Sequence, residues 1–327
     1  MDMAKKPLIA IHGGAGTMTQ SLLSSSKETD YLTSLNAIVA AGQAILAKGG
    51  SALDAVTTAV CLLEDNPLFN AGKGAVFTHS GKNELDAAIM DGATLNAGAV
   101  AGVSHIRNPI LAAKAVLNHG KQVFLIGKGA EAFAAANGIE LVDSDYFFTQ
   151  ERYDQLQAAL AIGQENVLDH DSQSLSLNHI NSDPIDPKNK LGTVGAVALD
   201  AHGNLAAATS TGGLTNKVDG RVGDSPIIGA GCYANNNTVA VSATGTGEMF
   251  IRGVVAYDVS ALVEYAGLSL EQAAHRVVMD KLPKINGRGG IIAIDHLGNI
   301  AMPFNTEGMY RGFGYVGDAP KVAIYKT

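Results

Sequence analysis

The 327-residue chain has no tryptophan, only two cysteines, and charged residues make up only 17% of it. Each scarcity closes off a class of function. Without tryptophan there is no indole platform to stack on sugar rings. Cys61 and Cys232 are far apart, in apolar or turn surroundings, and form no metal pair. One disulfide would be unusual support for a chain this long, so both are expected as buried, reduced thiols of a cytoplasmic protein. The 23 lysines and arginines are scattered among 31 acidic residues, for a net charge of −8. No basic run marks a nucleic-acid groove or a patch for an anionic membrane. No apolar run reaches membrane-spanning length, and Leu8–Ile11 is too short for the apolar part of a secretion signal. The nine histidines show no His-Glu-x-x-His spacing and no i, i+4 pair, so no helical metal motif is encoded.

Glycine is abundant instead. The chain holds 38, against about 23 at an average usage of ~7%. They are not periodic and cluster between apolar runs, which predicts many strands, tight turns and close backbone approaches. With 46% hydrophobic residues, the chain can build a large core.

Leu8–Ile11 reads as a buried strand that stops at the loop His12-Gly13-Gly14-Ala15-Gly16-Thr17. Helical periodicity follows over Thr29–Lys48, ended by Gly49-Gly50, and Ser51-Ala52-Leu53-Asp54 opens a second helix through Leu63. Asn66–Gly74 is a loop broken by Pro67 and its glycines. Strands are predicted at Ala75–Thr78, Glu84–Met90, Ala97–Val103 and Val123–Ile126. Helices are predicted at Pro109–Asn118, Ala130–Ala136 and Phe147–Ala161. From about residue 163 to 192 the chain turns polar, loses its period and carries Pro184 and Pro187, which reads as a flexible linker. The second half opens with a hairpin, Val194–Leu199 and Leu205–Thr209 around Asp200-Ala201-His202-Gly203-Asn204. The same form returns 95 residues later as Ile291–Ile294 and Ile300–Met302 around Asp295-His296-Leu297-Gly298-Asn299. Two helices, Gly247–Tyr265 and Leu268–Lys281, lie between. Strands at both ends of each half, with paired helices between, predict an α+β fold: two mostly antiparallel sheets face to face with helices outside, a four-layer αββα sandwich.

The linker ends at Gly192-Thr193, where an apolar strand begins. A mid-chain threonine hydroxyl is a poor nucleophile. At a chain N-terminus its own α-amine, titrating near ~8, can take the hydroxyl proton. The central expectation is self-cleavage between Gly192 and Thr193, after which Thr193 is the catalyst. Gly192 lets the scissile peptide twist, and β-branched Thr193 holds its hydroxyl stiffly. Val241–Glu248 runs from a strand end through Thr244, Gly245 and Thr246 to a helix start. It is either a plain turn with Thr246 as N-cap or an oxyanion hole made by Thr244 Oγ and Gly245 N–H. Arg221-Val222-Gly223-Asp224 is either a loop salt bridge or a zwitterion clamp, arginine on a carboxylate and aspartate on an ammonium. Gly223-Asp224-Ser225-Pro226 offers Ser225 as a rival nucleophile, but no particular histidine is indicated as its base. His12–Gly16 lacks a phosphate-loop register and is better read as a turn that lets backbones approach closely.

Together these stretches resemble the plant-type L-asparaginases, or isoaspartyl peptidases (β-aspartyl-peptidases), of the N-terminal-nucleophile hydrolases. The likeness lies in Ile9–Gly16, Phe69–Gly74, Gly192–Asp200, Ala208–Gly213, Gly220–Pro226 and Ala243–Glu248, and covers about residues 7–165 and 190–320. It implies a single N-terminal-nucleophile domain over 1–327, cut into an α subunit, 1–192, and a β subunit, 193–327. It implies hydrolysis of β-aspartyl dipeptides and L-asparagine, releasing L-aspartate through an aspartyl ester. Thr193 would be the nucleophile and Thr211 would steady its hydroxyl. Arg221 would bind the substrate α-carboxylate, and Asp224, helped by Gly247, its α-ammonium. Thr244 and Gly245 would form the oxyanion hole, and Asn70 would lie near the reacting water. No cofactor is implied for catalysis. A structural sodium ion is implied on the main-chain carbonyls of Leu63, Glu64, Asn66, Phe69, Ala71 and Lys73. The resemblance further implies a cytoplasmic homodimer of cleaved protomers (α2β2) with no nucleic-acid or membrane partner. Glycine before Thr193, where the glycosylasparaginase and threonine-aspartase branches would have aspartate, favours the isoaspartyl branch. The alternatives are a glycosylasparaginase-type hydrolase and a non-catalytic amino-acid-binding protein.

Overall fold

The computed structural model describes residues 6–18, 23–161 and 192–326; the linker expected at about 163–192 lies outside the described residues except for Gly192. In chain order the elements are β1 (Leu8–Gly16), α1 (Ser25–Ala47), α2 (Ala52–Glu64), β2 (Leu85–Asp91), β3 (Ala97–Val103), α3 (Pro109–His119), β4 (Phe124–Ile126), α4 (Gly127–Ala136) and α5 (Gln150–Ala161). After residue 192 follow β5 (Val194–Leu199), β6 (Leu205–Thr211), β7 (Cys232–Ala234), β8 (Val239–Gly245), α6 (Gly247–Gly253), α7 (Val255–Ala266) and α8 (Leu270–His275). The last strands are β9 (Gly289–Asp295), β10 (Ile300–Ala301), β11 (Gly308–Tyr315) and β12 (Lys321–Tyr325).

Two sheets form. One has eight strands in the order β12-β11-β1-β5-β6-β2-β3-β4, the other four in the order β10-β9-β8-β7. All pairings between named strands are antiparallel except β3 with β4. The period of two sorts the buried side chains into three cores. Ile9, Ile11, Val194, Ala196 and Ala198 pack with Leu35, Val39, Val56 and Val60 of α1 and α2. Leu8, Ala10, Val197 and Leu199 pack instead with Ala240, Ile292 and Ile294 of the smaller sheet. The other face of that sheet, Val241, Ala243 and Ile291, packs with Val255, Val259, Ala273 and Val277. Strands covered on both faces must be apolar throughout, which is why β1 and β5 read as continuous apolar runs rather than alternating ones. Each leucine, isoleucine or valine so buried contributes about 1.5–3 kcal/mol.

The local signals act as expected in several places. Ser51 Oγ accepts from Asp54 N at 3.1 Å to start α2, and Gly49 takes φ +78 just beyond α1. The two repeated turns are the same turn. Asp200 Oδ1 accepts from His202 N and Asn204 N, and Asp295 Oδ1 from Leu297 N and Asn299 N, all four at 2.9 Å. Three expectations are corrected. Ala75–Thr78 is not a strand: Asn70 Oδ1 accepts from Val76 N, and Asn83 Nδ2 donates to the carbonyls of Ala75 and Val76, so side chains take the bonds a ladder would use. The helix expected over Gly247–Tyr265 breaks at Val254, φ +48; Ala256 N and Tyr257 N donate to the carbonyls of Ala230 and Gly229 instead of to a preceding turn. The following helix is α-helical only over Leu270–His275 and widens to a π-helix over Arg276–Lys281, where the Val278 carbonyl accepts from Asn305 Nδ2 at 3.1 Å.

The cysteines carry no disulfide. Cys232 is buried and its thiol is raised to about 12 by desolvation. Cys61, expected to be buried, is only half-buried. Among the described residues no helix is long and apolar enough to cross a membrane.

Candidate active site

Thr193 sits at the head of β5, a central strand of the larger sheet, flanked by β1 and β6. Its hydroxyl is buried and donates to Thr211 Oγ1, 3.1 Å away at the end of β6. Ser225 Oγ lies 3.3 Å from the same oxygen. A hydroxyl has one proton; with that of Thr193 given to Thr211, Ser225 is the donor in the second bond. Thr211 Oγ1 also accepts from Gly213 N at 3.0 Å, which ties the partner of Thr193 to the turn after β6. Ser225, weighed in the sequence as a rival nucleophile, is thus placed as a neighbour of Thr193.

The strand expected to stop before His12 runs on through Gly16, so His12–Gly16 is part of β1 and not a loop; the close backbone approach expected there is made by the strand itself. The β1/β11 register shifts between His12 and Gly14, a bulge of the kind that re-aims strands beside functional sites. Gly14 takes φ +115, and a Cβ on it would lie 2.6 Å from Gly192 N and 2.9 Å from Gly192 Cα. Only glycine lets β1 run this close to residue 192.

A pocket opens beside the hydroxyl, lined by Gly192, Thr193, Thr211, Arg221, Asp224, Ser225 and Gly245 together with Leu214, Arg288 and Thr306. Asp224 is buried and its Oδ2 has no hydrogen-bond partner among the described residues. Desolvation raises its carboxyl to about 7, in spite of the nearby Arg221 charge. Of the two readings weighed for Arg221 and Asp224, the loop salt bridge is not the pair that forms. Arg221 Nε and one terminal nitrogen make a two-pronged contact with Glu248, at 2.9 and 3.0 Å. Gly247 backs both groups: a Cβ there would lie 2.9 Å from the guanidinium and 3.0 Å from Asp224 Oδ1.

Thr244 is buried and its Oγ1 accepts from Ala15 N at 3.3 Å, so its own proton remains to be donated. Gly245 lines the pocket at the end of β8. Thr246 holds the N-cap position of α6 without capping it; its hydroxyl donates to Arg288 O and accepts from Arg288 N. Asn70 stands behind the site rather than in the pocket lining. Its Nδ2 donates to Gly213 O at 2.8 Å and its carbonyl accepts from Gly212 N at 3.1 Å, so it braces the turn that carries Thr211's partner.

In the Leu63–Lys73 loop, the carbonyls of Asn66 and Phe69 each accept one backbone N–H, which leaves each a second lone pair, whereas the Leu63 carbonyl accepts from both Asp65 N and Asn66 N. Gly72, at φ +50, is pressed against this loop; a Cβ there would lie 2.4 Å from Glu64 O. The Glu64 side chain points away, accepting from Ser210 Oγ at 2.7 Å and Ile110 N at 3.0 Å, and desolvation raises its carboxyl to about 8. No group of three or more His, Cys, Asp or Glu side chains converges on a point among the described residues.

Thr193, Thr211, Arg221, Asp224, Gly245 and Gly247 are therefore brought to one place, with Thr244 and Asn70 immediately behind. Sequence reasoning missed Glu248 as the arginine's partner. Its cue, an acidic residue in the first turn of a helix, is shared by most helices.

A family model described as asparaginase matches residues 5–324. The isoaspartyl peptidase of Escherichia coli (strain K12) is 60% identical over 321 residues, 98% of this chain and 97% of that protein. A probable isoaspartyl peptidase/L-asparaginase 2 of Arabidopsis thaliana is 38% identical, covering 97% of this chain and 98% of that protein. The isoaspartyl peptidase/L-asparaginase of Bos taurus is 40% identical, covering 93% and 91%.

Proposed function

Because the chain belongs to the asparaginase family of hydrolases, we propose that it hydrolyses β-aspartyl (isoaspartyl) peptides and L-asparagine, and that Thr193 carries both its maturation and its turnover. The observation that carries this is the Thr193 hydroxyl, buried between two hydroxyls at the head of a central strand, with a guanidinium and a carboxyl whose Oδ2 has no partner among the described residues across one pocket.

In maturation Thr193 Oγ attacks the Gly192 carbonyl carbon. Its proton passes to the departing Thr193 nitrogen, the C–N bond breaks, and Gly192 is left as an ester on Oγ. Water then hydrolyses the ester, releasing a carboxylate at Gly192 and restoring the Thr193 hydroxyl beside the amine that the shift has freed. In turnover that amine, on the carbon next to the one that bears the hydroxyl, takes the Oγ proton as Oγ attacks the β-carbonyl of the substrate. The amine returns the proton to the leaving ammonia or peptide nitrogen, and water hydrolyses the aspartyl ester to L-aspartate. Thr244 Oγ and Gly245 N–H stabilise the oxyanion, each donor contributing about 3 kcal/mol. Arg221 takes the α-carboxylate through the edge Glu248 leaves free. Asp224, supported by Gly247, takes the α-ammonium, a cation that fits its unpaired Oδ2. Thr211 holds the nucleophile's hydroxyl, and Asn70 keeps the Gly212–Gly213 turn in place beneath it.

The proposal extends to the assembly. The three separate cores support a four-layer αββα stack. Residues 1–192 and 193–327 form the α and β pieces of a single domain, paired as an α2β2 homodimer in the cytoplasm, with small molecules as partners. Catalysis needs no cofactor in this scheme. The carbonyls of Leu63, Glu64, Asn66, Phe69, Ala71 and Lys73 would hold a structural sodium ion, an oxygen-only donor set suited to a hard cation, and would thereby stiffen the loop that carries Asn70.

The test is direct. Purified protein should resolve on a denaturing gel into two fragments, the smaller beginning Thr193-Val194-Gly195. It should release aspartate from β-Asp-Leu and not from α-Asp-Leu. A chain that stays whole and inert is an amino-acid-binding protein instead; preference for glycosylated asparagine points to a glycosylasparaginase.

A further inference from the structure

Behind Thr193 the apolar layer between the sheets is interrupted by three polar side chains with no exposure at all: His12, Thr209 and Ser242. Strand register explains their meeting. His12 on β1 pairs with Gly195 on β5, and Gly195 pairs with Thr209 on β6. Cross-strand partners share a face, so His12 and Thr209 flank a position with no side chain. A Cβ at residue 195 would lie 1.9 Å from Ser242 Oγ and 2.5 Å from His12 Nε2. The imidazole therefore crosses β5 where glycine leaves room. There Nε2 lies 2.8 Å from Ser242 Oγ, which in turn lies 2.7 Å from Thr209 Oγ1. The other ring nitrogen, Nδ1, is 2.9 Å from the carbonyl oxygen of Thr193.

The direction of each bond follows. A carbonyl only accepts, so Nδ1 carries the proton. Complete burial keeps the ring neutral, lowering its pKa to about 3. A neutral ring protonated at Nδ1 accepts at Nε2, from the Ser242 hydroxyl. Thr209 Oγ1, on the far side of Ser242 Oγ, donates to the Gly231 carbonyl at 3.0 Å. The network thus runs from the main chain of Gly231 through Thr209, Ser242 and His12 to the main chain of residue 193.

We propose that His12 is a positioning residue for the nucleophile: its Nδ1–H holds the Thr193 carbonyl, and Ser242 and Thr209 hold the ring. This rests on the proposed role of Thr193. Its importance should grow at maturation. Before the cut, Thr193 is tethered by peptide bonds on both sides. After it, Thr193 is a chain end, and chain ends fray unless tied down. The bond from His12 lies on the surviving side and survives the cut.

The experiment compares wild type with His12→Ala, His12→Asn and His12→Gln, following the fraction self-cleaved with time and then kcat and KM of the cleaved protein on β-Asp-Leu. The amide nitrogen of asparagine falls where Nδ1 is; that of glutamine falls near Nε2. His12→Ala should lower kcat about 100-fold, the cost of a misplacement of order 1 Å, with KM unchanged, and should slow self-cleavage. His12→Asn should restore most of the loss and His12→Gln should not. A kcat in His12→Ala equal to wild type overturns the role. So does a rise in KM in place of a fall in kcat, or equal activity in the asparagine and glutamine variants. That last comparison decides the matter if His12→Ala does not fold. A wild-type chain that neither cuts itself nor releases aspartate removes the Thr193 reading and this role with it, whereas wild-type activity matched by His12→Ala removes this role alone.

Discussion

Replacing Asp224 with asparagine should strengthen the protein while disabling it. The Asp224 carboxyl is fully buried, with Oδ2 unpaired among the described residues, and burial raises its pKa from 3.8 to about 7. A group whose folded pKa is raised contributes stability that is intact below the unfolded value and is lost as pH climbs through the folded one. For Asp224 that window runs from about pH 4 to about pH 7. Three pKa units at 1.36 kcal/mol each give about 4 kcal/mol, an upper bound because the surroundings relax around the charge. Asparagine keeps the shape without the charge and escapes this cost. At about 2–4 °C per kcal/mol for large domains, Asp224→Asn should melt several degrees above wild type at pH 8. The gap should narrow on acidification and close near pH 4. The same variant should still cut itself, since self-cleavage uses no ammonium, but KM for β-Asp-Leu should rise roughly 10–150-fold, the worth of a charged hydrogen bond of about 1.5–3 kcal/mol. Matched thermal melts at pH 4, 6 and 8, with steady-state kinetics, decide it. A variant less stable than wild type at pH 8, a gap independent of pH, or an unchanged KM refutes the account of Asp224 as an unpaid buried carboxylate awaiting a cation.

Thr193→Ala should stay a single chain on denaturing gels and release no aspartate, while Thr193→Ser should retain part of both activities; turnover by the alanine variant refutes the nucleophile. Gly14→Ala places a Cβ 2.6 Å from Gly192 N in a backbone with φ +115. It should slow self-cleavage by about 5–30-fold, the effect of 1–2 kcal/mol of strain. Gly102→Ala, also at positive φ but with no atom within 4 Å, should cut at the wild-type rate, and equal slowing in both variants would show that strain alone is at work. Arg221→Ala should raise KM for β-Asp-Leu with self-cleavage intact; an unchanged KM assigns the arginine to Glu248 alone.

Much of the fold was legible because both sheets are buried. β3 and β5 form over the residues read from their apolar runs, and the two Asp-x-x-Gly-Asn turns declared themselves by their spacing. The failures have one cause: bonds made to partners outside the segment itself. Ala75–Thr78 has the composition of a strand, but its main chain is claimed by Asn70 and Asn83. Val254 breaks a helix whose pattern is continuous, because the next N–H groups are drawn to Gly229 and Ala230. In the site, threonines and glycines at strand ends could be picked out one by one. That Arg221 would pair with Glu248, that Ser225 would face Thr193, and that His12 would reach across Gly195 depend on register between strands, which no local pattern encodes.

The strand order of the larger sheet carries a kinetic consequence. β1, β2, β3 and β4 precede residue 193 and β5, β6, β11 and β12 follow it, yet the order β12-β11-β1-β5-β6-β2-β3-β4 mixes them, with ladders β11/β1, β1/β5 and β6/β2 crossing between the pieces. A cut at Gly192–Thr193 would leave two polypeptides stitched together at three seams. Before the cut, folding is a first-order event within one molecule. After it, a denatured protein can recover only by collision of two different chains, at a rate that falls with dilution. Diluted from denaturant, the uncut Thr193→Ala chain should refold with a half-time independent of concentration, and the cut wild type should not. Maturation would give the protein its catalyst and, in the same step, take away its capacity to fold alone.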